Sequence, residues 1–96
     1  MVPTKKPIIW HPQAANELFE ILEFFEKRNH SRQYSKKLYD KIVKRLNLLG
    51  DDCLLGEMTD NENIRKLAVE NHSILYWIRS DAIEVLSIRD GRRDVK

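Results

Sequence analysis

The C-terminal third of the chain alternates short apolar runs with polar clusters, in the sequence NIRKLAVENHSILYWIRSDAIEVLSIRDGRRD. The runs are rich in Ile, Val, Leu, Tyr and Trp, which suit a half-buried pleated surface. Asn71-His72 and Ser80-Asp81 are natural turn points, since their side chains bond to nearby backbone groups. The pattern predicts an antiparallel meander of three strands, residues 64–70, 73–78 and 83–88.

Alternation along these strands assigns their residues to two faces. The face that should meet helices consists of Leu67, Val69, Ile74, Tyr76, Ile78, Ile83 and Val85. The outer face would hold Lys66, Ser73, Leu75, Trp77, Glu84, Leu86 and Ile88. The outer face is still fairly apolar, so Trp77 is either covered by the C-terminal tail or exposed for a partner.

Helical periodicity dominates the N-terminal half of the chain. A short apolar run at residues 8–10 follows Pro7, which lacks a backbone donor and fits the start or the edge of a strand. Pro12 fits the first position of a helix. Phe19 and Phe24 fall off its stripe, which indicates either burial on a second side or a surface for a partner. The stripe itself is Ala14, Ala15, Leu18, Ile21, Leu22 and Phe25.

A second helix is predicted between Ser31, a suitable N-cap, and Gly50, a natural residue just beyond a helix end. Its apolar stripe is Tyr34, Leu38, Ile42, Leu46 and Leu49. Because only a residue or two separates the helices, they should fold back as an antiparallel hairpin. Residues 51–62 show no regular pattern and predict a loop. The apolar side chains expected to tuck into the core from this loop are Leu54, Leu55 and Met58.

The size and composition of the chain fit one globular domain, residues 1–96. At 42% hydrophobic and 33% charged residues, the chain is too apolar to be disordered. It has no signal-like N-terminus and no run near the roughly eighteen apolar residues of a membrane helix, so a cytoplasmic location is expected. The order of elements, β-α-α-β-β-β, predicts an α+β fold with a helical hairpin on a small, mainly antiparallel sheet.

Charge is distributed unevenly although its net value is only +2. Residues 12–26 hold four glutamates and no basic residue, whereas residues 31–49 hold six basic residues and one aspartate. A basic surface fits a polyanionic partner or simply a solvated helix face. The lone Cys53 fits a small buried hydrophobe, and no histidine has metal-ligand spacing to another or to Cys53. No metal or cofactor is therefore expected.

This ordered set of elements resembles the RelE/ParE superfamily of bacterial toxins from type II toxin–antitoxin systems. The residues that carry the resemblance are Trp10, Ala14, Ala15, Leu18, IRKL at 64–67, SILYWI at 73–78, the run at 83–88 and the closing DGRRD. The resemblance covers nearly the whole chain. It implies a toxin that is neutralised by an antitoxin encoded beside it.

Members of this superfamily have two activities on one shared fold, so the fold alone does not choose between them. RelE-like toxins cut messenger RNA in the ribosomal A site, whereas ParE-like toxins bind DNA gyrase and block replication. The resemblance places Lys66 at a catalytic lysine and Arg93, or Arg92 with another gap placement, at the arginine after the last strand. Ile64 and Ser73 stand where a second lysine and a strand arginine are expected, and no Tyr or His occurs in the tail.

The catalytic set is thus about half present, which favours a ParE-like toxin that binds a target such as DNA gyrase over an enzyme. One alternative is a degenerate RelE-like, ribosome-dependent mRNA endoribonuclease with Lys66 and Arg93 as catalytic residues; another is an interaction module without toxicity. Arg65 is expected to anchor the sheet through Asp60 or Glu62. The residues expected to contact the target or the antitoxin are Arg89, Arg92, Arg93, Trp77, Phe19 and Phe24.

Overall fold

A computed structural model describes residues 6–90 of the chain. The elements are β1 (Ile8–Trp10), α1 (Pro12–Asn29), α2 (Gln33–Asp51), β2 (Glu57–Met58), β3 (Ile64–Val69), β4 (His72–Ile78) and β5 (Ile83–Asp90). The strands form one five-stranded sheet in the order β1-β5-β4-β3-β2. β1 runs parallel to β5, and the remaining neighbours are antiparallel. The predicted α+β fold with a mainly antiparallel sheet is confirmed.

β1 lies at one edge of the sheet, as the proline before it predicted. Pro7 contributes only its carbonyl, which accepts a hydrogen bond from the first residue of β5 at 2.9 Å. The chain then enters α1, where Nδ1 of His11 accepts a bond from the N–H of Gln13 at 3.1 Å and Pro12 occupies the first turn. His30 ends the helix in the left-handed conformation, with φ 52°.

α2 begins and ends later than the pattern predicted. Ser31 does not open the helix, but its hydroxyl accepts from the N–H of Gln33 at 3.1 Å and so satisfies one donor of the first turn. Gly50 lies inside the helix rather than beyond it, because the N–H of Asp52 still bonds four residues back at 2.9 Å. The carbonyl of Gly50 also accepts from the N–H of Lys6, which ties this helix end to the strand before α1.

The two helices pack against the inner face of the sheet as the predicted hairpin. Phe25 of α1 meets Tyr34 of α2 edge-on, with ring centroids 4.8 Å apart. Tyr34 is partly exposed and Ser35 is buried in its place, because the Ser35 hydroxyl bonds to Glu26 of α1. Ala15 is also exposed, contrary to the predicted stripe, since Ala14 takes the inward position. The core consists of Ala14, Leu18, Phe25, Leu38, Ile42, Leu46, Leu49, Leu67, Val69, Ile74, Tyr76, Ile83, Val85 and Ile88.

The segment predicted as one loop, residues 51–62, contains the short strand β2. A strand of two residues is too short to leave an alternating pattern, and only its partner on β3 defines it. The expected tucking of Leu54, Leu55 and Met58 is wrong, because all three side chains are exposed. Met58 lies on β2, an edge strand of the sheet, and Leu54 and Leu55 lie in the loop before it.

The turn between β3 and β4 lies one residue earlier than predicted. Its two residues are Glu70 and Asn71, and Glu70 has a φ of 55°. His72 is therefore the first residue of β4, where it is buried with its ring centroid 6.2 Å from that of Phe25. The turn predicted at residues 80–81 is confirmed.

A β-bulge in β5 reverses the predicted faces at the end of this strand. Val85 and Ser87 pair with consecutive residues of β4, so Leu86 between them has no partner there. Beyond the bulge, Ile88 faces the core and Arg89 faces outward. Simple alternation had placed Ile88 on the outer face, because an inserted residue cannot be seen in the hydrophobic pattern.

Glu17 of α1 binds the backbone of β5 in the part of the strand that has no partner on β1. Its Oε1 accepts the backbone N–H of Ile88 at 3.0 Å in a partly buried position. We expect Glu17→Ala to lower the free energy of unfolding by about 1–2 kcal/mol, because that N–H loses a charged acceptor. Glu20→Ala, an exposed change on the same helix, should alter it by less than about 0.5 kcal/mol. Urea unfolding measures both, and equal effects would contradict this role of Glu17.

Candidate functional site

The outer face of the sheet carries Trp77 and Arg89, which were predicted to contact the target or the antitoxin, and Lys66, which was predicted to be catalytic only in a nuclease. Lys66 of β3, Trp77 of β4 and Arg89 of β5 are all exposed on this face. The register places Lys66 opposite Leu75 and Arg89 opposite Ser73, with Trp77 two residues along β4 from Leu75. Because the helices pack on the other face, neither of them covers these side chains.

Trp77 is an exposed aromatic residue on this face, with 42% of its surface accessible. The guanidinium carbon of Arg79 lies 5.6 Å from the indole centroid, a cation–π contact. Arg79 is itself held by Glu84 at 3.1 Å and by Asp81 at 3.7 Å. Arg79 was not among the residues predicted from the sequence, although an arginine two residues after a strand tryptophan was a usable signal. The carboxylates offset its charge, so its main effect is to orient the indole.

Lys66 and Arg89 provide the cationic part of this face. Within residues 6–90, neither side chain makes an ion pair, so both charges remain available to a partner. Glu57 of β2 lies directly opposite Lys66 in the strand pairing. The sequence did not predict this neighbour, because residues 51–62 were expected to form a loop. Arg93 and Arg92, the other predicted cations, lie outside the described residues.

Phe19 and Phe24 are not part of this face. Both lie on α1 in the helical layer and are exposed, Phe19 by 65% and Phe24 by 43%. Five residues apart on a helix, they point in directions about 140° apart and do not line a single groove. Phe24 packs edge-on against Phe25 with centroids 5.2 Å apart. If these aromatic residues bind a partner, they do so on the opposite side of the molecule from Trp77.

Arg65 holds the loop before β2, but not through carboxylates. Its Nη1 donates to the carbonyl of Gly56 at 2.8 Å and to that of Leu54 at 3.3 Å. The predicted pairing with Asp60 or Glu62 is wrong, since Arg65 faces the inner side of the sheet, where the loop backbone lies, and both carboxylates are exposed. The residue therefore has the structural role that was expected, with different partners.

Tyr76 completes this contact from the neighbouring strand. Its hydroxyl donates to the carbonyl of Cys53 at 2.8 Å and accepts from the N–H of Gly56 at 2.9 Å. Burial raises the pKa of Tyr76 above its ordinary value of 10.0, so the hydroxyl stays protonated at neutral pH and keeps both bonds. Arg65, Tyr76 and Gly56, here called the loop clamp, hold β2 beside β3. Cys53 is partly buried against the core, close to the prediction of a small hydrophobe.

In the described part of the chain, the outer face presents aromatic, aliphatic and cationic side chains. Within residues 6–90, no group of three or more His, Cys, Asp or Glu side chains is placed to hold a metal ion. Neither α1 nor α2 is long and apolar enough to cross a bilayer. The face instead combines an oriented indole, two exposed cations and the half-buried Leu75 and Leu86.

Comparison with known proteins agrees with this architecture. Among solved structures, the chain is similar to the chromosomal ParDE TA system from P. aeruginosa, with a TM-score of 0.76, 19% identity, and coverage of 90% of this chain and 96% of that chain. It is also similar to the YoeB dimer from Staphylococcus aureus, with a TM-score of 0.60, 19% identity, and coverage of 88% and 95%. At these identities the similarity shows the fold alone. No curated protein sequence matches significantly.

A family model supplies the assignment that the fold does not. The model described as the ParE toxin of the type II toxin–antitoxin system, parDE, matches residues 8–95. This range contains both helices, the whole sheet and the exposed residues of its outer face. The chain therefore belongs to the ParE toxin family of type II toxin–antitoxin systems, within the RelE/ParE superfamily that its sequence resembles.

Proposed function

We propose that this chain is a growth-inhibiting toxin that acts in the cytoplasm by binding a protein target such as DNA gyrase, and that a cognate antitoxin neutralises it. The observation that carries this proposal is the outer-face platform, defined as Trp77, Arg79, Lys66, Arg89 and Leu75. Tryptophan and arginine dominate the energetics of protein interfaces, because they bury a large area with directed polar contacts. The indole of Trp77 is already oriented by Arg79, which reduces the entropy lost on binding.

The platform favours binding over catalysis. RNA cleavage by 2′-hydroxyl attack needs a proton acceptor, a group that stabilises the charged phosphorane and a proton donor for the leaving oxygen. Lys66 could serve one of these roles and Arg89 a second, but Ile64 and Ser73 on the neighbouring positions supply no third. Each missing group typically lowers the rate by about 10²–10³.

A RelE-like, ribosome-dependent mRNA endoribonuclease is the second candidate function. The observation that favours it is the exposed side chain of Lys66, which makes no ion pair within residues 6–90 and could reach a phosphate. In that case Lys66 and Arg93 would be the catalytic residues, with Arg89 on the same face as a phosphate contact. The two functions differ in how much they depend on the amine of Lys66.

Lys66→Ala separates the two candidates. For a gyrase-binding toxin, we expect the variant to inhibit growth within about threefold of the wild type, because one rim charge contributes little to an interface. Purified toxin should then inhibit supercoiling by gyrase, and RNA sequencing after brief induction should show no new codon-phased ends. Codon-phased cleavage that falls about 100-fold or more in Lys66→Ala would establish the nuclease instead.

Antitoxin neutralisation is tested by the neighbouring gene. Co-expression of a small reading frame adjacent to the toxin gene should restore growth and yield a complex that co-purifies. If expression of the wild-type chain leaves growth unchanged and no such frame exists, an interaction module without toxicity would be the correct function.

A further inference from the structure

One edge of the sheet is only partly covered. β2 pairs with β3 at Glu57 and Lys66 and at Met58 and Arg65, and no strand of the described chain lies beside residues 67–69. An uncovered edge strand presents N–H and C=O groups in a row, which another strand can bind.

The backbone of Ala68 points toward this open edge. The two-residue turn closes on the pair of Val69 and His72, so Val69 and Leu67 form the ladder with β4 and Ala68 faces away from it. A side-chain contact supports this orientation of Ala68. Arg45 lies on α2, and its Nη2 donates to the Ala68 carbonyl oxygen at a distance of 3.4 Å. In an antiparallel strand, the N–H and C=O of one residue point to the same side, so the Ala68 N–H also faces the edge.

The groove beside the edge is basic. It is an open space of about 340 Å³ lined by Lys41, Lys44, Arg45, Ala68, Val69 and Glu70. Lys41 is paired with Glu70 at 2.9 Å. Within the described part of the chain, Lys44 and Arg45 have no carboxylate partner, so their charges face the groove uncompensated.

We propose that this edge of β3 binds an extended acidic segment of a partner protein, which adds a strand beside residues 67–69 and places carboxylates against Lys44 and Arg45. Backbone hydrogen bonds to Ala68 set the register of the added strand, and the charges of Lys44 and Arg45 favour a negatively charged segment. A second copy of this chain fits less well, because self-complementary pairing of two such edges would bring their basic residues together. The edge is separate from the outer-face platform, so this inference does not depend on the target of the toxin.

A synthetic peptide tests the proposal directly on the purified, complete chain. The probe is a fluorescein-labelled heptapeptide, Thr-Glu-Val-Glu-Val-Glu-Thr, and its binding is followed by fluorescence anisotropy. We expect saturable binding that weakens several-fold between about 50 and about 300 mM NaCl. A peptide with Lys in place of Glu should not bind. Two further peptides carry N-methyl groups on the backbone of either the Glu residues or the Val residues. Only the set whose N–H groups donate to β3 should weaken binding when it is methylated.

Two protein variants separate the backbone and the charge contributions. Ala68→Pro removes the edge N–H without removing a bond to β4 and should weaken binding roughly tenfold. Lys44→Glu should also weaken it roughly tenfold, whereas Lys36→Glu, an equal charge change on the same helix outside the groove, should change it less than about twofold. Circular dichroism confirms folding, and the methylated peptides test the backbone bonds if Ala68→Pro does not fold.

Three results would overturn the proposal. Peptide binding that survives both Ala68→Pro and N-methylation would exclude strand addition. Equal effects of Lys44→Glu and Lys36→Glu would show that only net charge matters. A wild-type dimer that Ala68→Pro converts to a monomer would show that a second copy of the chain, and not an acidic segment, occupies the edge.

Discussion

Gly56→Ala should lower the free energy of unfolding by about 2–3 kcal/mol. An added Cβ would lie 2.7 Å from the Tyr76 hydroxyl oxygen, 2.8 Å from its Cε1 atom and 2.8 Å from the backbone carbonyl oxygen of Lys66. The carbonyl cannot move away without disturbing the pairing of β2 with β3, and the ring of Tyr76 is fully buried. The loop clamp would therefore open, and urea unfolding measures the loss.

Tyr76→Phe is the matched control for this prediction. It keeps the ring and removes the hydroxyl with its two hydrogen bonds, so it should cost about 1–2 kcal/mol. In that background Gly56→Ala should cost less than in the wild type, because one of the three close contacts is gone, while the Lys66 carbonyl still opposes the methyl group. If Gly56→Ala is as stable as the wild type, the loop accommodates a methyl group and the loop clamp does not exclude a side chain at this position.

Trp77→Ala should weaken growth inhibition by about 30-fold or more if the outer-face platform binds the target. A tryptophan at the centre of an interface typically contributes about 2–4 kcal/mol to binding. The measurements are the toxin concentration that half-inhibits gyrase supercoiling and the induction level that halves growth, at equal expression. Trp77→Phe, which keeps an aromatic surface beside Arg79, should recover part of the loss.

Phe19→Ala is the control for Trp77→Ala, because it removes an exposed aromatic side chain from the helical layer. It should leave growth inhibition unchanged, and any defect should appear only in neutralisation by the antitoxin. Equal loss of growth inhibition in both variants would show that the loss is not specific to the platform, and full toxicity of Trp77→Ala would exclude the platform.

Elements with long, regular patterns were predictable because each pattern reports one buried face. Both helices and the three strands of the meander follow this rule, and Leu67, Ile74 and Val85 lie in the core where alternation placed them. The prediction of Lys66 and Trp77 on one exposed face was correct for the same reason. Their position depends on strand parity, which is a local property of the sequence.

Contacts between segments far apart in the chain were not predictable in this way. Arg65 bonds to backbone carbonyls of a loop rather than to a carboxylate, and β2 exists only because β3 lies beside it. None of these partners can be read from residue types, because backbone groups carry no side-chain signal.

The amino-acid pattern alone determined the order of the elements, the faces of β3 and β4, and the family that they resemble, because hydrophobic periodicity acts within single elements. The tertiary structure decided the bulge at Leu86, which turns Ile88 inward and Arg89 outward, and the partial cover that leaves residues 67–69 of β3 open. These features arise from the register between neighbouring strands. Register is set by backbone hydrogen bonds and packing across the whole sheet, and no local stretch of sequence contains it.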